Sequence, residues 1–421
     1  MARVGQVKAR GVDSGSARLT DRVSLGVLAE VFPRDVIEDV LTETGRRERR
    51  SRLLPAHVVV RFCQAMCLFF DDDYEEVMHK LVGSLRSMGS WRGEWNVPST
   101  SAITQARQRL GFEPLRGLFE RTAVPVAGPG TKGAWCGSRR LMAVDGFMLD
   151  VPDSEENSVE FGRRNSGTRD GAFPQVRVLV LAECGSHAVV GASMGPCKTD
   201  ERALARGFLS RLEEGMLVTA DRNFYSFDLW AEFRDSGADL LWRVNSNLQL
   251  PVVEWLPDGS FLSIACDPDI KGRKRDDLVG RVRDGCSVDP DEGHLVRVVE
   301  YDVPDRVGSA SGEIICLVTS VLDPVEATAE ELAAAYHERW ECETLIDEIK
   351  THQRGPARVL RSRSPDMVRQ EIWALLLTHY GIRNLMCRAA DEIGEDPDRL
   401  SFMRTLRIIR RHITAQADFS P

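Results

Sequence analysis

The hydrophobic pattern of this chain changes period at one place, and that change limits the folds open to it. Up to about residue 123 the apolar residues recur at helical spacing. Val36, Ile37, Val40 and Leu41 follow Pro33, and Val58, Val59, Phe62, Met66 and Phe69 follow Pro55. Proline at a first helical turn gives up an N–H that would have no partner, so both prolines read as helix starts. A third helix is expected over 74–87. A fourth runs from a Ser99 or Thr100 cap to Arg109 and ends at Gly111. Ala127–Gly133, with three glycines and a proline, is a linker by composition.

Beyond the linker, apolar runs of strand length alternate with helical patterns. Leu141–Leu149 reads as a strand and the polar stretch after it, to Asp170, as a loop. Residues 176–183 and 187–193 form a hairpin about Cys184-Gly185. A helix over 200–214, a strand over 216–220, a helix over 227–236 and a strand over 239–244 follow. Residues 248–323 carry hairpin signals at Pro257-Asp258-Gly259 and Asp284-Gly285. A long helix is expected from about Thr328 to Thr351, then helices over 365–393 and 400–413. The order predicts an α/β fold with an all-helical N-terminal domain (1–126), a core built from 134–247 and 324–421, and a β-rich insertion (248–323). Thr414–Pro421 has no terminating element, as expected of a chain cut short relative to a longer one.

Composition narrows the class. With 421 residues, 43% of them hydrophobic and 28% charged, the chain is expected to fold into two or three domains. No apolar run reaches the roughly 20 residues of a membrane span. Met1–Gly15 has no apolar stretch, so no signal peptide is expected. Ten cysteines without a Cys-x-x-Cys pair argue against zinc ribbons and a disulfide framework, and favour a reducing cytoplasm. The net charge of −9 opposes bulk nucleic-acid binding. Yet Arg46–Arg52, Lys271–Arg275 and Arg407–Arg411 are strongly basic, so charge leaves that question open. There are 48 arginines against seven lysines.

Two acids sit where acids are costly. Asp145 interrupts the apolar strand in Val144-Asp145-Gly146, and Asp221 follows the apolar strand Leu217–Ala220. Each has an ordinary alternative, a turn for Asp145 and a helix cap for Asp221. On the long helix, advancing about 100° per residue places Tyr336, Arg339, Glu343 and Lys350 within an arc of about 60°, apart from the apolar stripe of Cys342, Leu345, Ile346 and Ile349. A solvated face with an Arg339–Glu343 pair would give the same pattern. His337 falls off this arc and reads as surface.

Together these motifs, Val-Asp145-Gly, Thr-Ala-Asp221-Arg-Asn-Phe-Tyr and Tyr336-x2-Arg339-x3-Glu343-x6-Lys350, resemble the catalytic signature of DDE transposases from bacterial insertion sequences. The insertion-sequence-four group, with its Tyr-Arg-Glu-Lys signature, is the narrower likeness, over about residues 20–413. The resemblance implies an RNase H-like core with a β-rich insertion between the second Asp and the Glu. It implies two Mg²⁺ ions, replaceable by Mn²⁺, held by Asp145, Asp221 and Glu343. Asp145 would touch both ions, as hard cations prefer carboxylates. Tyr336, Arg339 and Lys350 would contact DNA phosphates. Partners would be the element's own terminal inverted repeats and target DNA, with a dimer in the synaptic complex, at the bacterial nucleoid. Some relatives stack a flipped base on a tryptophan; Trp255 is a candidate, with core packing as its alternative.

The helix over 100–109, with Gln105, Arg107, Gln108 and Arg109, resembles the second helix of a helix-turn-helix, expected in the major groove. A polar surface helix is the alternative. Two rival functions remain: a decayed or domesticated DNA-binding protein without catalysis, and a structure-specific nuclease on the same core.

Overall fold

The structure is a computed structural model, and it describes residues 26, 28–48, 54–87, 97–166, 169–245, 247–303, 313–355 and 359–412. Most of the Arg46–Arg52 cluster and all of Thr414–Pro421 lie outside these residues.

Among the described residues five helices precede the linker, after a helical turn at Leu28–Val31. They are α1 (Arg34–Glu43), α2 (Ala56–Leu68), α3 (Tyr74–Ser87), α4 (Thr100–Leu110) and α5 (Glu113–Thr122). Pro33 and Pro55 stand just before α1 and α2 as expected. The Ser99 hydroxyl accepts from the Ala102 N–H to cap α4, and Gly111 ends it with a positive φ of 71°. The linker is pinned: Thr131 donates to Asp391 at 3.0 Å, and the Ala127 N–H donates to the buried Glu183 at 2.9 Å.

Next come β1 (Arg139–Asp150), α6 (Glu155–Phe161), β2 (Gln175–Glu183), β3 (Ala188–Pro196) and α7 (Glu201–Ala205), which runs on into a 3₁₀ segment to Arg211. Then follow β4 (Met216–Ala220), α8 (Phe227–Asp235) and β5 (Asp239–Arg243). The stretch expected to be a polar loop contains α6, capped by the Ser154 hydroxyl. Next are β6 (Val252–Trp255), β7 (Phe261–Cys266), α9 (Arg273–Arg283), β8 (Gly293–Val303) and β9 (Glu313–Thr319). The basic run at 271–275 therefore opens a helix inside a region that reads as hairpins.

All these strands share one sheet, in the order β3-β2-β1-β4-β5-β9-β8-β7-β6, with the short strand Trp135–Cys136 paired to β1. β1, β4 and β5 run parallel, and every other neighbouring pair is antiparallel. The strands of 248–323 thus extend the core sheet through the β9–β5 pairing. α9 closes a small apolar cluster of Ile264, Leu278, Val279 and Val282 over that end.

The long helix expected over 328–351 is not continuous. α10 (Ala329–His337) stops, the chain turns at Glu338 and Arg339, α11 (Trp340–Asp347) resumes, and Glu348–Gln353 is π-helical. α12 (Pro365–Ile393) follows and α13 (Phe402–His412) ends the described chain. α12 buries most of its length. It packs on α2 and α5 along one side and on β3 along another, so the helices before the linker and the sheet share one apolar core. No helix among the described residues is long and apolar enough to cross a membrane.

Candidate active site

The site forms where the pairing of β1 with β4 stops and α11 packs against β1. β1 and β4 run parallel with Val144 opposite Ala220 as the last pair of their register. The next residues along the chain are Asp145 and Asp221, so the strand pairing itself places both acids beside the point where that pairing stops. Each acid is tied locally: Asp145 Oδ1 accepts from the Gly146 N–H at 2.7 Å, and Asp221 Oδ1 from the Arg222 N–H at 2.6 Å. α11 packs on β1 and brings Glu343 to the same place.

Arg339 joins the acids. Its Nη1 lies 3.3 Å from Asp145 Oδ2 and its Nη2 3.3 Å from Glu343 Oε1. Asp221 acts on the same guanidinium electrostatically. The side chain is 10% exposed, with the Tyr336 and Trp340 rings at 5.8 and 5.9 Å. Burial works against its charge, but Tyr336, Asp145, Asp221 and Glu343 together push its pKa above the ordinary arginine value. Burial raises the Asp145 carboxyl; the Gly146 N–H and Arg339 oppose this, while Glu343 and Glu201 add to it. Buried Tyr336 has its phenol pushed up to about 12 by desolvation.

Sequence reasoning missed Glu201. It lies near Asp145, is held by Arg177 at 2.6 Å, and would meet a Cβ at position 146 at 3.1 Å. Its spacing from the other acids carries no motif, and only the fold brings it close.

Lys350 is exposed on the π-helical segment. Tyr336, Arg339 and Glu343 sit together as the arc expects, while the π geometry of Glu348–Gln353 changes the helical phase at Lys350. His337 is exposed, as expected. Trp255 is 66% exposed and meets Phe261 edge-on at 5.1 Å, which rules out the core packing kept open for it.

In α4 the expected DNA-facing set divides. Gln105, Gln108 and Arg109 are exposed, with Arg109 3.9 Å from Glu48. Arg107 is corrected: it is fully buried, donating to Gln370 Oε1 at 2.9 Å and Ser362 Oγ at 3.0 Å, with the Tyr74 hydroxyl also in reach. A guanidinium with no exposed surface cannot enter a DNA groove. It holds the helices before the linker onto the start of α12.

The acids Asp145, Asp221 and Glu343 suit a hard divalent cation: all are oxygen donors, and the buried one has its negative charge opposed by burial and its neighbours. A different cluster, His187, Glu341 and Asp398, has ligand atoms within 4.8 Å of one another. There burial and Arg383 disfavour the imidazolium, yet Asp398, Glu341 and Glu348 prevail and push the His187 pKa up to about 10. These groups are linked as an ion-pair network. It continues through Glu348 to His379 at 3.0 Å and to Arg383. Gly185, φ 75°, is required beside it, because a Cβ would lie 2.4 Å from the Lys132 carbonyl oxygen.

Two family models cover this architecture. Residues 22–120 match the N-terminal region of insertion element 4 transposases, and residues 137–380, more than half the chain, match the transposase DDE domain. The chain belongs to the insertion-sequence-4 family of DDE transposases. It is an enzyme acting on DNA. Among relatives of this family, the transposase InsG of insertion sequence element IS4 from Escherichia coli K12 is 28% identical over 403 residues, 95% of this chain and 85% of InsG. In fold, the chain resembles the piggyBac transposase in a synaptic complex with hairpin DNA. The TM-score is 0.50 at 11% identity, over 92% of this chain and 79% of that one. A DDE transposase works with divalent metal.

Proposed function

We propose that this transposase binds the ends of its own insertion sequence, cleaves phosphodiester bonds there and joins the freed 3′-hydroxyls to target DNA. The observation that carries the reading is the convergence of Asp145, Asp221 and Glu343, two by strand pairing and one by helix packing, around a single arginine. The run β3-β2-β1-β4-β5, with the first three antiparallel and the last three parallel, supports an RNase H-like core. We take 248–323 as its insertion and 1–126 as the region that selects DNA.

Asp145, nearest the other charges, would hold two Mg²⁺ ions jointly, with Asp221 and Glu343 each holding one. Bound there, the ions would neutralise charge on the attacking and leaving oxygens. Water attacks the scissile phosphorus and the 3′-oxygen leaves as a hydroxyl; that hydroxyl then attacks a target phosphodiester in the same way. Arg339 neutralises the acids and is placed to meet a phosphate through its planar fork. Tyr336 packs beneath it, and exposed Lys350 reaches the DNA backbone as a point charge. Gln105 and Arg109 face solvent from α4, where they contact DNA. A dimer brings two ends together.

A strand-transfer assay with element ends, target plasmid and Mg²⁺ tests this. Joined products support it; cleavage without joining would indicate a nuclease, and binding alone a decayed copy.

A further inference from the structure

α13 contains four arginines and a histidine in eleven residues, and no acid. Its apolar stripe, Phe402, Leu406 and Ile409, is buried, and the helix packs on α12 and on the π-helical segment that carries Lys350. Arg410 has a structural role: it is half-buried, donates from Nε to the Leu68 carbonyl at 2.5 Å, and lies near Asp71 and Asp72. Arg404, Arg407 and Arg411 are exposed and spaced i, i+3, i+7, on one face. Among the described residues none of the three has a carboxylate partner. Several arginines elsewhere in the chain do: Arg139, Arg177, Arg206 and Arg281 each sit on an acid.

Ordinary helix chemistry does not account for this face. Cations in a last turn complement the helix dipole, which covers Arg411. Arg404 stands in the first turn, where the dipole opposes it. Arg407 lies three residues from Arg404 and four from Arg411, spacings at which like charges destabilise a helix. A chain of net charge −9 thus keeps an unneutralised line of cations on a helix packed against the π-helical segment of Lys350.

We propose that Arg404, Arg407 and Arg411 form a phosphate-binding track for duplex DNA, next to the cleavage site. Seven residues of helix span about 10 Å. One DNA strand advances about 3.4 Å per phosphate, so the track matches about three phosphates. Contacts of this kind position the duplex without reading its sequence. The inference rests on the reading of the chain as a DNA-cleaving transposase.

The test compares the full chain with Arg404→Gln/Arg407→Gln/Arg411→Gln by fluorescence anisotropy. The probe is a labelled random-sequence duplex of about 40 base pairs, over roughly 50 to 300 mM KCl. Each lost phosphate contact removes about 0.9 from the slope of log K against log salt, so the slope should fall by about 2 to 3. The melting temperature should stay the same or rise as repulsion is relieved. Arg404→Gln alone should remove about 0.9. A control with the same charge change, Lys271→Gln/Arg273→Gln/Lys274→Gln, should keep a slope clearly steeper than the α13 variant. An unchanged slope in the α13 variants, or an equal loss in the control, overturns the proposal. If the unsubstituted chain shows no salt-dependent duplex binding, the transposase reading itself fails; if it binds and only the α13 variants match it, the track alone is wrong.

Discussion

Arg339 meets Asp145 across 194 positions of sequence, with Nη1 3.3 Å from Oδ2, and its other terminal nitrogen lies equally close to Glu343. The arginine of the Tyr-Arg-Glu-Lys motif therefore belongs to the acid cluster. Its burial makes the pairing matter, because a charge pair away from water is screened little.

Removing that charge should alter how the acids take up metal. In Arg339→Ala, Asp145 keeps the raising effects of burial, Glu343 and Glu201 and loses a lowering one. Its ionised form should then be lost at a higher pH than in the unsubstituted chain. Mn²⁺ titration calorimetry at about pH 6 and pH 8 should show a steeper loss of affinity on acidification in Arg339→Ala, and a smaller change in Arg339→Lys. The same pH ratio in all three proteins would refute the coupling.

Arg107 and Gln105 should behave oppositely. Arg107→Ala removes the buried donors to Gln370 Oε1 and Ser362 Oγ and leaves a cavity in their place, and should cost about 3 kcal/mol or more, lowering the melting temperature. Gln105→Ala, on the exposed face, should change stability by less than about 0.5 kcal/mol and show its effect in end binding. Thermal melting separates the two; a stable Arg107→Ala protein would mean the buried network contributes little.

Lys350 is exposed, so Lys350→Ala should leave folding unchanged. If it meets a phosphate, losing a charge-assisted contact of about 1.5–3 kcal/mol slows single-turnover cleavage roughly 10- to 150-fold. Lys350→Arg should restore part of this. Unchanged melting with unchanged cleavage would return Lys350 to the solvated surface.

The His187 network sets a pH window. Folding raises this imidazole from 6.5 to about 10, so its contribution to stability is complete below about pH 6.5 and is lost as pH climbs through about 10. The melting temperature should fall across that interval, and His187→Gln should flatten the fall. Parallel curves for the two proteins would show that the charge is not what the fold favours.

Much of this fold is legible in the sequence because the signals are local. Pro365 and an apolar stretch define a helix that runs from Pro365 to Ile393, and Ser99 and Gly111 bracket α4. Asp145 and Asp221 could be singled out because each follows an apolar strand core. The turn at Glu338–Arg339 and the π geometry of Glu348–Gln353 have no proline or glycine to announce them, so a helical wheel drawn from Tyr336 to Lys350 assumed a phase the backbone does not keep at Lys350. Nor does sequence distinguish a buried arginine from a DNA-reading one. Arg107 has the same polar neighbours along the chain in either role, and only α12, more than 250 residues later, decides between them. Glu201 likewise reaches the site through the β2–β3 hairpin, which carries no motif.

Transposition by this chain, as proposed, requires the three carboxylates to act as one metal-dependent centre. Single-turnover cleavage of a labelled element end by the full chain, in Mg²⁺ and in Mn²⁺, tests it most directly beside Asp145→Asn, Asp221→Asn and Glu343→Gln. The prediction is metal-dependent cleavage by the unsubstituted chain and none by the three variants, each of which still binds the end. Cleavage at the normal rate by any one of them would remove that residue from the centre and contradict the account.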